Sequence, residues 1–224
     1  MALRLFLDSA DPAAWAEWLP SGLFHGVTTN PTLLLRAGVP CDLKAIAALA
    51  HQALALGCRE VHGQAWGRDA AELEDCGRQL AALAPGQLVV KLPVTRAGAL
   101  AAARLIQAGQ PVTFTACYEA PQVLVAAALG ARYIAPYLGR IDDQGRDGQG
   151  ELVAMQRCLR GTRSKVRLLV ASLRNAKTLS HLAAEGLDTF TISPAVAAEL
   201  FASSDTEEAA EQFERDARGP MGLG

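Results

Sequence analysis

Apolar residues along the chain fall into two alternating patterns. Short, nearly continuous apolar runs of strand length occur at 3–7, 25–29, 59–64, 88–92, 111–115, 132–135, 166–171 and 189–192. Between them, alanine and leucine recur at helical spacing over 12–18, 42–56, 69–83, 97–108, 120–129, 150–159, 176–185 and 193–201. Local signals support these bounds. Asp11-Pro12 and Ser193-Pro194 read as an N-cap followed by a first helical position. Gly57, Gly109, Gly130 and Gly186 stand where helices should stop. Asn30-Pro31 reads as a turn. The one irregular stretch, 139–150, is rich in glycine and aspartate, and we expect a mobile loop over the strand ends there. A polar helix is expected at 206–218.

Eight strand–helix units in this rhythm predict a parallel sheet, and so an α/β fold: a single (β/α)8 barrel with an extra C-terminal helix. A doubly wound open sheet is the alternative. In such barrels the active site lies at the C-terminal ends of the strands. The residues expected there are Asp8, Asn30, Gln64, Lys91, Thr115, Tyr137, Ser172 and Ser193, all polar. Strand ends are often polar because loops begin there. That accounts for Ser193 as a helix cap and could account for Asp8. It accounts less well for Lys91 and Gln64, which come before the loop.

Lys91 sits inside the run Leu88-Val89-Val90-Lys91-Leu92. Burial disfavours an ammonium, so its pKa should fall, and a neutral lysine is a nucleophile toward carbonyls. The bland alternative is a lysine that snorkels to water. Asn30 and Thr28, in Gly26-Val27-Thr28-Thr29-Asn30, would present an amide and a hydroxyl at the barrel mouth, suited to a polyhydroxy ligand. Ser172 and Arg174 follow the seventh strand, where barrels often bind phosphate, and Arg140 after the sixth could join them. The 139–150 segment has neither the Gly-Lys-Ser/Thr of a P-loop nor the spacing of an EF-hand.

Charge and composition narrow the function classes. A net charge of −2 over 224 residues argues against a basic nucleic-acid surface. The apolar runs are too short to span a bilayer, and Arg4 and Asp8 spoil the N-terminus as a signal peptide. Five cysteines with no close pair fit free thiols in a reducing cytoplasm. The four histidines lack metal-ligand spacing, and the barrel is expected to work without a metal or an organic cofactor.

Several motifs together resemble the transaldolase family, and within it the small fructose-6-phosphate aldolase branch. They are LFLDSAD (5–11), GVTTNPTLL (26–34), VVKLPVT (89–95), APYLGRIDDQG (135–145) and VASLRN (170–175). The resemblance implies a class I aldolase barrel acting on sugar phosphates and small ketones or aldehydes. Lys91 then matches the Schiff-base lysine. Asp8, Thr28, Asn30, Gln64, Thr115, Tyr137 and Ser172 match residues around the ketose, and Arg140 and Arg174 match phosphate contacts. Transaldolases generally carry glutamate in place of Gln64 and phenylalanine in place of Tyr137. Where the aldolases usually carry lysine after the serine, this chain has Arg174. Members of this size are often pentamers or decamers, which would give the helix at 206–218 a neighbour to pack on. The rival readings are a transaldolase, a non-catalytic sugar-phosphate-binding barrel, and a metal-dependent aldolase, which the scattered histidines disfavour.

Overall fold

Successive strand residues point to opposite faces, so each short apolar run must bury both. A closed parallel barrel ringed by helices does this. The computed structural model describes residues 2–219. Its first half contains β1 (Arg4–Asp8), α1 (Pro12–Trp18), β2 (Gly26–Thr28), α2 (Pro31–Arg36), α3 (Leu43–Ala55), β3 (Glu60–Gln64), α4 (Ala70–Leu83), β4 (Leu88–Pro93) and α5 (Arg96–Gln107). Then follow β5 (Val112–Cys117), α6 (Gln122–Leu129), β6 (Tyr133–Pro136), α7 (Leu138–Asp143), α8 (Gly148–Gly161), β7 (Arg167–Leu168), α9 (Ala176–Ala184), β8 (Thr189–Ile192), α10 (Pro194–Glu199) and α11 (Ser204–Arg218). β1 to β7 pair in parallel, each with its sequence neighbours, and β1 also pairs in parallel with β8. The barrel closes between the seventh and eighth strands through a bridge from Val170 to Phe190. There Val170 N donates to Thr189 O (2.9 Å) and Thr191 N to Val170 O (2.8 Å). The fold is therefore a TIM-type barrel.

Three elements differ from the sequence pattern. Asn30-Pro31, which reads as a turn, instead opens α2 over Pro31–Arg36, because Pro31 supplies a pre-set φ and Asn30 caps the helix. The segment 139–150 is not an irregular loop. It holds α7 and the start of α8, the latter capped by Asp147. Of its glycines, Gly139, Gly148 and Gly150 serve close approach (a Cβ on Gly148 would meet Asp142 Oδ1 at 2.5 Å), while Gly145 takes a left-handed φ of 73°. The seventh strand is short, because beyond Leu168 its ladder reduces to bridges.

The apolar core has two layers. Trp15, Leu80, Leu105, Phe114 and Phe190 lie among the residues packed between strands and helices. Phe6, Val89, Tyr133, Ala135, Leu169 and Ala171 fill the barrel interior. Beneath that inner layer Glu60 is the hub of a polar plug. Its carboxylate accepts from Tyr133 Oη (2.7 Å) and Arg132 Nη1 (3.2 Å) and lies 3.3 Å from His62 Nε2. Burial alone would raise the Glu60 pKa, but hydrogen bonds from His62 and Tyr133, with His25 Nε2 3.5 Å away, outweigh it. They hold the carboxyl well below its usual range. His62 is fully buried, and burial brings its pKa down to about 4 despite the nearby carboxylate. The interior is thus filled from below, and space remains at the C-terminal end. Among the described residues, no helix is long and apolar enough to cross a membrane.

Candidate active site

A cavity of about 230 Å³ opens at the C-terminal ends of the strands. Inward-pointing residues at alternate positions build its walls: Asp8 on β1, Thr28 on β2, Lys91 on β4, Thr115 on β5, Ala135 on β6 and Thr191 on β8. Asn30, Tyr137, Arg140, Ser172 and Ser193 reach it from the following turns and helices. A larger cavity of about 580 Å³ lies at the opposite end, beside Arg4, Glu60 and Arg132. Arg4 and Arg132 there are tied to the polar plug, and Arg167 bonds Thr189 and Asp188.

Lys91 is the fourth residue of β4 and is 5% exposed. Its Nζ donates to Thr29 O at 2.8 Å. An ammonium has three protons to place, so this partly dry pocket favours the neutral amine. Burial lowers the Lys91 pKa, and the Asp8 carboxylate partly opposes that. Lys91 does not snorkel to bulk water; it opens into the cavity.

The neighbouring groups are held by short hydrogen bonds. Thr28 Oγ1 donates to Asp8 Oδ1 at 2.6 Å and shares a second contact of 2.6 Å with Thr191 Oγ1. Thr191 is missing from the sequence reading. Its signal was the inward register of Thr189, Thr191 and Ser193 on and after β8. Across the mouth, Thr115 Oγ1 and Tyr137 Oη are 2.8 Å apart. The backbone is irregular here. The β5–β6 register shifts between Phe114 and Cys117, and Ala116 takes a left-handed φ of 55°. Ser172, after β7, takes φ 59°. Such conformations disfavour side chains that carry a Cβ, and bulges commonly re-aim residues beside active sites.

Asn30 has two roles. Its Oδ1 accepts from Leu33 N at 3.0 Å and caps α2. That bond fixes the amide plane and leaves the Nδ2 donors for the cavity. Ser193 caps α10 through Val196 N at 3.3 Å, as its Ser-Pro context implied.

Two candidates lie apart from the walls. Gln64 ends β3 in direct register with Lys91, half-buried beside the cavity rather than lining it. Arg174 is exposed. It donates to Gly139 O at 3.0 Å and is ion-paired with the Asp143 carboxylate. Arg140 does line the cavity, with its guanidinium 5.0 Å over the Tyr137 ring. Arg36, at the end of α2, also lines it and was not anticipated.

Comparison with known proteins places the chain in a family. The family described as Transaldolase/Fructose-6-phosphate aldolase matches residues 5–221. The chain belongs to this family. A probable transaldolase of Caulobacter sp. (strain K31) is 36% identical over 221 residues, covering 97% of each chain. One from Caulobacter vibrioides (strain NA1000 / CB15N) is 36% identical over 218 residues, covering 96% of each. One from Rhodospirillum centenum is 34% identical over 216 residues, covering 96% of this chain and 90% of its own. The solved structure described as "Native KDPGal structure" matches at a TM-score of 0.60 and 13% identity, over 86% of this chain and 82% of its own; it shows the fold alone. Transaldolase-family membership makes this chain an enzyme of the aldolase and transaldolase type, which forms or breaks carbon–carbon bonds. Lys91 lies in the VVKLPVT stretch of this transaldolase-family barrel, at the base of its cavity.

Proposed function

We propose that the enzyme is a class I aldolase that reversibly cleaves fructose 6-phosphate to dihydroxyacetone and glyceraldehyde 3-phosphate. The observation that carries this reading is a lysine buried in a strand, its amine open to a polar cavity and its pKa lowered. Lys91 Nζ adds to the ketone carbon, and loss of water gives an iminium. The iminium draws electrons from the adjacent C3–C4 bond. As the C4 hydroxyl gives up its proton, that bond breaks, releasing the aldehyde and leaving an enamine. Protonation of the enamine carbon and addition of water to the iminium release the ketone and restore the amine.

Asp8, held by Thr28, binds a substrate hydroxyl or takes the proton itself. Tyr137 and Thr115 hold the relay water, with Gln64 beside Lys91 as a neutral orienting group. Thr28 and Asn30 bind hydroxyls of the ketone unit. Ser172 and Arg140 take the phosphate, and Arg174 joins them by exchanging Asp143 for the phosphate oxygens.

Transfer of the ketone unit between sugar phosphates is the second reading, favoured by the relatives named probable transaldolase. Gln64 and Tyr137 support the first. A glutamine cannot act as a charged base, and the tyrosine hydroxyl offers a proton donor for enamine release. The test measures both rates on one preparation, with borohydride trapping of dihydroxyacetone. We expect an adduct on Lys91 and addition of free dihydroxyacetone to glyceraldehyde 3-phosphate faster than transfer from fructose 6-phosphate to erythrose 4-phosphate. Faster transfer makes the enzyme a transaldolase; an adduct on Lys44, Lys165 or Lys177 removes the lysine assignment.

The assembly is a homo-oligomer, pentamer or decamer, in the same reading. α11 buries none of its residues, and Phe213 on it is 70% exposed, which suits packing on a neighbouring subunit. Light scattering decides this, and a monomer at micromolar concentration would refute it.

A further inference from the structure

Arg36 falls outside every motif used above. It ends α2, six residues after Asn30, and its side chain lines the cavity together with Thr32 and Leu33. A cation in the last turn also suits the negative end of its helix. That role is local. Arg36 is exposed and stands at the rim of the cavity.

The charges of the cavity make this placement significant. Its walls carry two guanidiniums, Arg36 and Arg140, together with Lys91 and a single carboxylate, Asp8. Asp8 accepts from Thr28 and acts on Lys91. Among the described residues neither Arg36 nor Arg140 has an ion-pair partner, whereas Arg174 already has Asp143. Two like charges on one small cavity repel each other, and a bound anion removes that penalty. Arg36 comes from the β2 side of the mouth and Arg140 from the β6 side, so they flank β4 and its lysine.

We propose that Arg36 is a specificity-determining residue that contacts the phosphate of the sugar-phosphate substrate opposite Arg140. This rests on the aldolase reading above for the identity of the substrate. Unlike Arg174, Arg36 need not leave a carboxylate to make the contact. A guanidinium is suited to it, because its planar fork can bond two phosphate oxygens at once.

The test compares glyceraldehyde 3-phosphate with glyceraldehyde as acceptor for dihydroxyacetone, in the native enzyme and in Arg36→Ala and Arg36→Lys. We expect Arg36→Ala to lower the ratio of kcat/KM for the phosphorylated over the unphosphorylated acceptor by about ten- to a hundredfold, as loss of a charge-assisted bond implies. The change should fall mainly on KM, and Arg36→Lys should recover part of it. Inhibition by inorganic phosphate should weaken in parallel. An unchanged ratio, or an equal loss for both acceptors, would overturn the proposal. Borohydride trapping of dihydroxyacetone on the native enzyme separates this from the wider reading. If no Lys91 adduct forms, the aldolase reading falls. Calorimetric binding of fructose 6-phosphate to native and Arg36→Ala protein still reports the phosphate contact, and equal affinities there would overturn it.

Discussion

At the scale of single residues, the arrangement separates forming the iminium from handling its protons. Lys91 gains its reactivity from burial, and it has no part in the Thr115–Tyr137 pair across the mouth. Tyr137→Phe removes one hydroxyl, retains the ring beneath Arg140 and leaves Thr115 in place. We expect it to slow addition of free dihydroxyacetone by at least about tenfold, as loss of a positioned proton donor does. Transfer should then outrun addition, while borohydride still traps dihydroxyacetone on Lys91. Loss of trapping in this variant would mean that Tyr137 shapes the amine's surroundings rather than the proton path.

At the scale of elements, close backbone approach decides where the anion-binding groups stand. Gly139 N donates to Ser172 O at 3.0 Å, which fastens the start of α7 to the turn after β7. A Cβ on Gly139 would meet that same oxygen at 2.5 Å and Arg174 Nε at 2.8 Å. The oxygen is backbone, so it can yield only by moving the turn. Gly139→Ala should therefore destabilise the fold by about 1–3 kcal/mol, the usual cost of overpacking. It should also raise KM for phosphorylated substrates, because Arg140 and Ser172 shift apart. Gly161→Ala is the control. It adds a methyl where nothing lies within 4 Å, in the last turn of α8, and should be neutral or stabilising by up to about 1 kcal/mol. Urea midpoints and acceptor KM values for the two variants check this; equal midpoints would show that α7 simply moves aside.

At the scale of the whole molecule, the barrel floor makes stability depend on pH. His62 has a pKa of about 4 in the folded protein and about 6.5 when unfolded. As pH falls through that window the unfolded chain takes up a proton that the folded one refuses, so stability declines, by about 3 kcal/mol in full. Glu60, held below the usual carboxylate range, acts in the same direction below about pH 4.3, where the unfolded carboxylate protonates. Urea midpoints should therefore fall steadily from pH 7 to pH 4 and more steeply beneath. His62→Gln should flatten the first part and leave the second. A midpoint independent of pH between 7 and 4 in the native protein would contradict the neutral buried histidine.

Much of this was legible in the amino-acid order, because it depends on local periodicity. Alternating strand and helix patterns predict the barrel, and the barrel places Asp8, Lys91, Thr115 and Tyr137 at one end. The Asp11 and Ser193 caps were likewise readable, since capping is decided within three residues. Glycines in 139–150 suggested a loop, yet Gly139, Gly148 and Gly150 serve tight packing around α7 and α8; sequence does not say what a missing Cβ makes room for. Thr191, on the eighth strand, meets Thr28 because closure of the barrel sets β8 beside β1. Arg174, adjacent to the site in sequence, is drawn off by Asp143, while Arg36, at the end of an unanticipated helix, lines the cavity. The sequence by itself determined the alternation of eight strands with helices and which end of the barrel carries Asp8, Lys91, Thr115 and Tyr137, because these depend on local periodicity. The tertiary structure alone decided which charges share the cavity, because long side chains choose partners from elements far apart in the chain.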